Sequence, residues 1–179
     1  MNSRNSINYR YIEVIVLIAI VSVYGLATYQ RNLIWKDDLT LWSDVVKKSP
    51  ENARPYNNLG RAYLGSKAYL QAITYFEKAL RLNPYFSYAR YNLGIAYQGL
   101  QLYDKAITEY KKALYGTGQP YFADIHNNLG VCYFITGRTD MAIEEFRQAI
   151  RINPYFSDAH YNLGIAYKAK GSGTGRLNK

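Results

Sequence analysis

Most of the chain repeats itself with a period of about 34 residues, which restricts the folds it can adopt. The tripeptide Asn-Leu-Gly occurs four times, and its glycines, Gly60, Gly94, Gly130 and Gly164, are 34, 36 and 34 residues apart. A tyrosine follows each glycine by three residues. After the first three glycines come an alanine, an aromatic residue and an alanine, 12, 16 and 19 residues on. Such units cannot bury their apolar faces alone and must stack on one another.

Each period predicts two helices. Apolar residues recur at helical spacing around Leu59 and again around Phe76, and Pro84 and Pro154 end the second helix because proline cannot continue it. The glycine lets the first helix approach the second closely, and the aromatic residue fills the space between them. The predicted pairs span 53–66 and 69–82, 87–99 and 103–115, and 123–136 and 139–152; a lone helix follows at about 157–169.

These positions resemble the tetratricopeptide repeat (TPR), and the match extends from Ala53 to Tyr167. The resemblance implies an all-α fold, a TPR α-solenoid of stacked helix hairpins, which the N-terminal region described next would precede with one transmembrane helix. The full repeats would be 53–86, 87–122 and 123–156, followed by a capping half-repeat at 157–170 and a flexible, glycine-rich tail at 171–179.

The N-terminal region predicts a membrane helix. Residues Val14 to Gln30 carry no charge, and as a helix they would extend about 26 Å, close to the roughly 30 Å of a bilayer core. We therefore expect a short tail at 1–10 and a transmembrane helix or signal anchor at 11–30. A cleaved signal peptide or a buried helix are the alternatives. Arg4 and Arg10 favour an orientation with the repeats on the exported, periplasmic or luminal, face, although Arg31, Lys36, Lys47 and Lys48 on the other side weaken that count.

The segment 31–52 joins this helix to the repeats as a linker and a degenerate second helix. Trp42, Val45 and Pro50 lie one period before Phe76, Ala79 and Pro84, which predicts a helix over Trp35–Lys48.

A second resemblance concerns the same junction. The run from Thr28 through Leu41-Trp42 to Asn58-Leu59-Gly60 is similar to the last membrane helix and repeat start of multi-pass proteins related to the protein O-mannosyltransferases. It implies an accessory or truncated TPR portion of such a glycosyltransferase, which recruits protein substrate and has the enzyme as a possible partner. The catalytic membrane portion of that family is not in this sequence.

Signatures of catalysis are missing from the sequence. It has no glycine-rich phosphate loop, zinc-ligand spacing or nucleophile elbow. His126 and His160 occupy the place of Tyr56, where we expect packing, and Cys132 replaces an interior alanine, which predicts a buried thiol. We expect no enzyme activity, cofactor or metal.

The formal charge of +9 does not point to nucleic acid. Much of the excess lies late in second helices, where cations favour the helix C-terminus.

The concave side of the solenoid, lined by the first helix of each pair, is the expected binding surface. Counting around that helix, the asparagine before Leu-Gly faces inward, and Asn58, Asn92, Asn128 and Asn162 would form a ladder. An amide both donates and accepts hydrogen bonds, which suits the backbone of an extended peptide. This asparagine is common in such repeats, however, and does not define one ligand. The predicted peptide-binding groove comprises Arg54, Asn57, Asn58, Arg61, Tyr88, Tyr91, Asn92, Asp124, Asn127, Asn128, Asp158, Tyr161 and Asn162.

Two further functions remain open from the sequence. Arg54 and Arg61 could hold a carboxylate, although Asp124 and Asp158 at later inward places disfavour a clamp for a peptide C-terminus. A structural assembly protein that uses the second-helix surface is the other alternative.

Overall fold

The computed structural model describes residues 13–26, 37–115 and 122–174, and all regular structure there is helical. Helix α1 is described over 13–26. The others are α2 Asp38–Lys48, α3 Ala53–Gly65, α4 Tyr69–Leu82, α5 Ser87–Gly99, α6 Tyr103–Leu114, α7 Phe122–Ile135, α8 Thr139–Ile152 and α9 Ser157–Thr174. The bounds of the three predicted helix pairs, α3/α4, α5/α6 and α7/α8, are confirmed to within one residue.

The glycine of each repeat marks the closest approach of its two helices. A Cβ placed on Gly60, Gly94 or Gly130 would lie 2.5–2.6 Å from a ring carbon of Phe76, Tyr110 or Phe146, respectively. Those three rings are almost completely buried. The period therefore predicted correctly that a glycine faces an aromatic ring within each hairpin.

The turn between the two helices has the same backbone conformation in all three hairpins. Lys67, Gln101 and Gly137 occupy one repeat position and have φ values of 59°, 60° and 78°. The amide after each of them bonds back to the tyrosine carbonyl five residues earlier, as in Ala68 to Tyr63 at 2.9 Å. Only the third repeat has glycine at this position. Lys67 and Gln101 therefore adopt a left-handed backbone conformation that residues other than glycine rarely adopt.

Helix α2 starts with a capping box. The Asp37 carboxylate accepts a hydrogen bond from the Thr40 amide at 2.8 Å, and the Thr40 hydroxyl faces the Asp37 backbone. Asp38 lies in the first turn, where an acid complements the helix dipole. The predicted helix start at Trp35 lies outside the described residues.

Helix α1 exposes its apolar side chains. From Val14 to Leu26 the large ones are 47–71% exposed. Across the described ranges, no helix is both long enough and apolar enough to span a bilayer. The expected membrane helix at 11–30 includes residues 11, 12 and 27–30, which lie outside the described residues, as do the tail at 1–10 and linker residues 31–36.

Helix α9 continues to Thr174, four residues beyond the predicted end of the capping half-repeat at 170. Residues 175–179 lie outside the described part. Glycine lowers helix stability by about 1 kcal/mol relative to alanine but places no steric obstacle in a helix. In addition, Lys170 pairs with Asp140 of α8 at 2.7 Å, which holds the end of α9 against its neighbour.

Candidate peptide-binding groove

Helices α3, α5, α7 and α9 form the inner wall of the solenoid. Each packs on the second helix before it, and α3, α5 and α7 also pack on the second helix of their own repeat; consecutive members contact each other directly. The second helices α4, α6 and α8 approach one another less closely. The more closely spaced row lies on the inside of a curved stack, which is where the sequence predicted the groove.

Three of the predicted groove residues, Asn57, Asn92 and Asn127, are buried between helices. The exposed fractions of Asn57 and Asn127 are only 4% and 7%. Asn92 donates from Nδ2 to Asn57 Oδ1 at 2.9 Å, and Asn162 donates to Asn127 Oδ1 at 3.0 Å. A buried amide needs a partner, and Asn57 and Asn127 each find one on the next first helix.

The four asparagines of the ladder therefore differ in exposure and in hydrogen bonding. Asn92 is 7% exposed, and its amide already donates a hydrogen bond to Asn57. Asn58 and Asn128 are half-buried; Asn58 accepts from Asn57, and Asn128 donates to the Tyr91 hydroxyl, both at 3.4 Å. Asn58 and Asn128 thus remain the ladder amides best placed to contact a ligand, because their present hydrogen bonds are long.

The charged members of the groove set lie at its two ends. Arg54 and Arg61 of α3 are exposed; Asp124 of α7 is half-buried and Asp158 of α9 is exposed. Between them are Tyr88 and Tyr91, both half-buried, and Tyr161 lies at the far end, 72% exposed. The inner wall therefore runs from basic at the first repeat to acidic at the last.

A cleft at the basic end was not predicted from the sequence. It lies between α2 and α3 and is lined by Asp38, Trp42, Asn58, Arg61 and Ala62. The signal in the sequence was the alignment of Trp42 with the repeat aromatics, but only the packing of α2 on α3 brings it beside Asn58.

The histidines make polar contacts that the sequence analysis missed. His126 Nδ1 lies 2.7 Å from Glu145 Oε2, and at the same places in the previous repeat Arg90 pairs with Glu109 at 3.1 Å. No second helix follows α9 within the described residues, and His160 Nε2 lies 2.9 Å from the Pro154 carbonyl oxygen. Packing alone is therefore a wrong account of this position: it is a cross-helix polar pair in two repeats. The shared spacing of Glu109 and Glu145 from their glycines was the available signal.

Burial raises the pKa of two potentially reactive side chains, Cys132 and Tyr110. Cys132 is completely buried, and that burial raises the pKa of its thiol to about 12, so the thiolate nucleophile is not formed at neutral pH. The Tyr110 hydroxyl donates to Gln98 Oε1 at 2.7 Å, and burial raises the pKa of Tyr110 above its usual value. Within the described ranges, no three His, Cys, Asp or Glu side chains come together as a metal site.

The hairpins and their inner wall define a tetratricopeptide solenoid, the architecture of a protein-interaction scaffold. Sequence models described as tetratricopeptide repeats match residues 53–86 and 75–108, and one described as a TPR repeat matches 132–171. The chain belongs to the tetratricopeptide-repeat proteins.

The curated relatives include protein O-mannosyl-transferases. Tmtc3 of Drosophila melanogaster is 29% identical over 82 residues, which are 46% of this chain and 9% of that protein. TMTC3 of Homo sapiens is 31% identical over 70 residues, 39% of this chain and 8% of that protein. The chain thus spans less than a tenth of the length of these relatives.

Among solved structures, the chain is similar to MamA. One MamA crystal structure is 29% identical with a TM-score of 0.68, covering 74% of this chain and 77% of that one. A second is 27% identical, also with a TM-score of 0.68, and covers 86% and 82%. The first TPR of Spaghetti (RPAP3), bound to the HSP90 peptide SRMEEVD, is 18% identical with a TM-score of 0.64 over 67% and 94%, a likeness of fold alone.

Proposed function

We propose that this chain is a membrane-anchored scaffold that binds an extended segment of another protein in its concave groove and is not itself an enzyme. The observation that carries the proposal is the inner wall, where the half-buried amides of Asn58 and Asn128 lie between a basic and an acidic end. Amide side chains can pair with the backbone of a peptide of any sequence, because each offers a donor and an acceptor.

The charge distribution of the groove defines the partner segment further. Arg54 and Arg61 favour acidic residues on the portion of the segment that lies over the first repeat, whereas Asp124 and Asp158 favour basic residues over the last. The exposed ring of Tyr161 and the half-buried ring of Tyr88 offer apolar contact area along the wall. The best ligand is therefore an extended segment with opposite charges at its two ends.

The test uses the full chain in mild detergent and an array of immobilised random peptides. We expect the selected peptides to be acidic at one end and basic at the other. Changing Asn58 and Asn128 together to alanine should weaken their binding by about tenfold, which is 1.4 kcal/mol, because a hydrogen-bonded contact to the ligand backbone is removed at two points. The dissociation constant is measured by fluorescence polarisation.

The matched control changes Gln71 and Thr74, both exposed on α4 away from the inner wall, to alanine. This variant should bind as tightly as the unaltered chain. Equal affinities for the groove double variant and the unaltered chain, with unchanged helical circular dichroism, would contradict groove recognition.

The membrane anchor of this proposal is the segment 11–30. An uncharged run of residues from Val14 to Gln30 supports it, as does α1, whose large apolar side chains from Val14 to Leu26 are exposed. A helix with exposed apolar side chains on all sides needs an apolar environment, which a bilayer supplies. We propose that the repeats lie on the exported, periplasmic or luminal, face; Arg4 and Arg10 before the segment support this orientation, and Arg31 and Lys36 after it weaken that support.

A second candidate function is an accessory or truncated TPR portion of a membrane glycosyltransferase that recruits protein substrate. The similarity to two protein O-mannosyl-transferases favours it. In that case the groove would hold the acceptor protein, and a separate membrane protein would transfer the sugar.

One membrane preparation tests the anchor and separates the two functions. We expect the chain to remain in the pellet after an alkaline wash, because the segment 11–30 is held by the bilayer core rather than by charge. Its release into the wash would contradict the anchor. Mannose transfer to an acceptor protein that copurifies with the detergent-extracted chain would support the second candidate, and its absence would count against that candidate.

A further inference from the structure

One repeat position on the inner wall changes from basic to apolar along the groove. The residue directly after the glycine is Arg61 in α3, Ile95 in α5 and Val131 in α7. It follows the ladder asparagine by three residues and therefore lies on the same helix face, one turn further on. Arg61 is exposed, whereas Ile95 and Val131 are half-buried and pack against the core cluster of α6, α7, α8 and α9. This row of three residues thus presents a cation followed by two apolar side chains.

Tyrosine rings lie beside the row in its middle. Tyr88 and Tyr91 of α5 are both half-buried, and Tyr91 precedes Ile95 by four residues, so the two side chains share one face of α5. The Tyr91 ring centroid lies 6.0 Å from that of Tyr110, and the Tyr91 hydroxyl accepts a hydrogen bond from Asn128 at 3.4 Å. Grooves lined by aromatic rings are typical docking sites of polyproline II segments.

The spacing of the first helices fits the same peptide conformation. Packed helices lie about 8–10 Å apart, and α3, α5 and α7 contact one another in succession. A polyproline II segment advances about 3.1 Å per residue and returns to the same side after three residues, or about 9.3 Å. A β-strand returns to the same side after two residues, or about 6.6 Å. Of these two extended conformations, polyproline II is therefore the one that places one side chain over each first helix.

The ladder amides also suit this conformation. The backbone of a polyproline II segment forms no internal hydrogen bonds, so its polar groups are available to a side chain that both donates and accepts. Asn58 and Asn128 are half-buried, and their present hydrogen bonds are 3.4 Å long. They lie on α3 and α7, so that each can contact the backbone near one end of a segment that crosses the three helices.

From these observations we propose that the groove binds a polyproline II segment of a partner protein, with an acidic residue at one position and apolar residues three and six positions away. The acidic side chain lies over Arg61, and the apolar side chains lie over Ile95 and Val131. The charges of Arg54 and Arg61, both exposed, select the acidic residue. This inference rests on the groove function proposed above and adds the conformation and the register of the ligand.

Fluorescence polarisation of labelled nine-residue peptides with the full chain in mild detergent tests the register. The first peptide has glutamate at position one, leucine at positions four and seven, and proline elsewhere. The second has the same composition but carries its leucines at positions three and five. Each is also made with the reversed sequence, and the tighter orientation is compared. We expect the first peptide to bind about tenfold more tightly, because both leucines are buried together only at a spacing of three.

Exchanges within the row provide a second measurement. Arg61→Ile should change the preferred residue at position one from glutamate to leucine, and Ile95→Arg should change the preference at position four from leucine to glutamate. Each variant carries the side chain that a neighbouring repeat has at the same place. Ile152→Arg is the matched control, because Ile152 is 48% exposed at the end of the second helix α8; this variant should keep the preferences of the unaltered chain.

Equal affinities for the two leucine spacings, or an unchanged preference in Arg61→Ile, would overturn this inference. The double alanine variant of Asn58 and Asn128 then separates it from the groove function. If that variant weakens the binding of both peptides, groove recognition stands and only the register is wrong. If it binds both as tightly as the unaltered chain, or if neither peptide binds, the register and the groove function are both contradicted.

Discussion

Replacing Phe146 with alanine is expected to lower the free energy of unfolding by about 3–5 kcal/mol. The Phe146 side chain is 1% exposed and belongs to the core cluster that joins α6, α7, α8 and α9. Removing the ring deletes buried apolar surface and leaves a cavity that a close-packed interior cannot fill by local collapse. Because repeats are stabilised by contacts with their neighbours, the loss should destabilise both adjoining hairpins.

Chemical denaturation of the full chain, followed by circular dichroism, measures this effect. Tyr155→Ala is the control: Tyr155 is a nearby aromatic residue but is 92% exposed, so its removal should change the unfolding free energy by no more than about 0.5 kcal/mol. If Phe146→Ala were as mild as Tyr155→Ala, the described core would be wrong.

Gly130→Ala is expected to destabilise the chain by about 1–3 kcal/mol, because a methyl group is forced into a filled space. The new Cβ would lie 2.6, 2.7 and 3.0 Å from three ring carbons of Phe146. That ring is enclosed by the core and cannot move aside without displacing other side chains. The same denaturation experiment measures the change.

Gly164→Ala makes the identical substitution at the equivalent position of the last repeat and is expected to have the opposite sign. The added Cβ meets nothing within 4 Å, and alanine favours a helix over glycine by about 1 kcal/mol. We therefore expect a modest stabilisation. A destabilisation equal to that of Gly130→Ala would mean that a ring already covers Gly164.

The helix pairs were predictable from the sequence because their determinants are local and occur several times. The aromatic residue follows the glycine by 16 residues in all three full repeats, so each repeat supports the helices assigned in the others. The contact of Gly130 with Phe146 follows from that spacing alone, since two helices of known length and a short turn bring those positions together.

The spacing of residues in the sequence did not predict which groove amides are buried and which are exposed. Asn57 and Asn58 are neighbours in the sequence, and a helical wheel places both on the inner side. Which of them is buried depends on how closely α5 packs against α3, and this allows Asn92 to reach Asn57 at 2.9 Å. Likewise, the pairing of His126 with Glu145 depends on the rotation of α7 and α8 about their axes.

The sequence by itself determined the repeat, the order of the helices and the glycine–aromatic contact within each hairpin, because these depend on spacing along one chain. Only the tertiary structure decided which inward residues are exposed, where α2 and α3 form a cleft, and that the glycine of α9 lies open. The reason is physical: burial and hydrogen bonding depend on distances between helices, and residues 34 or more positions apart acquire those distances only when the hairpins stack.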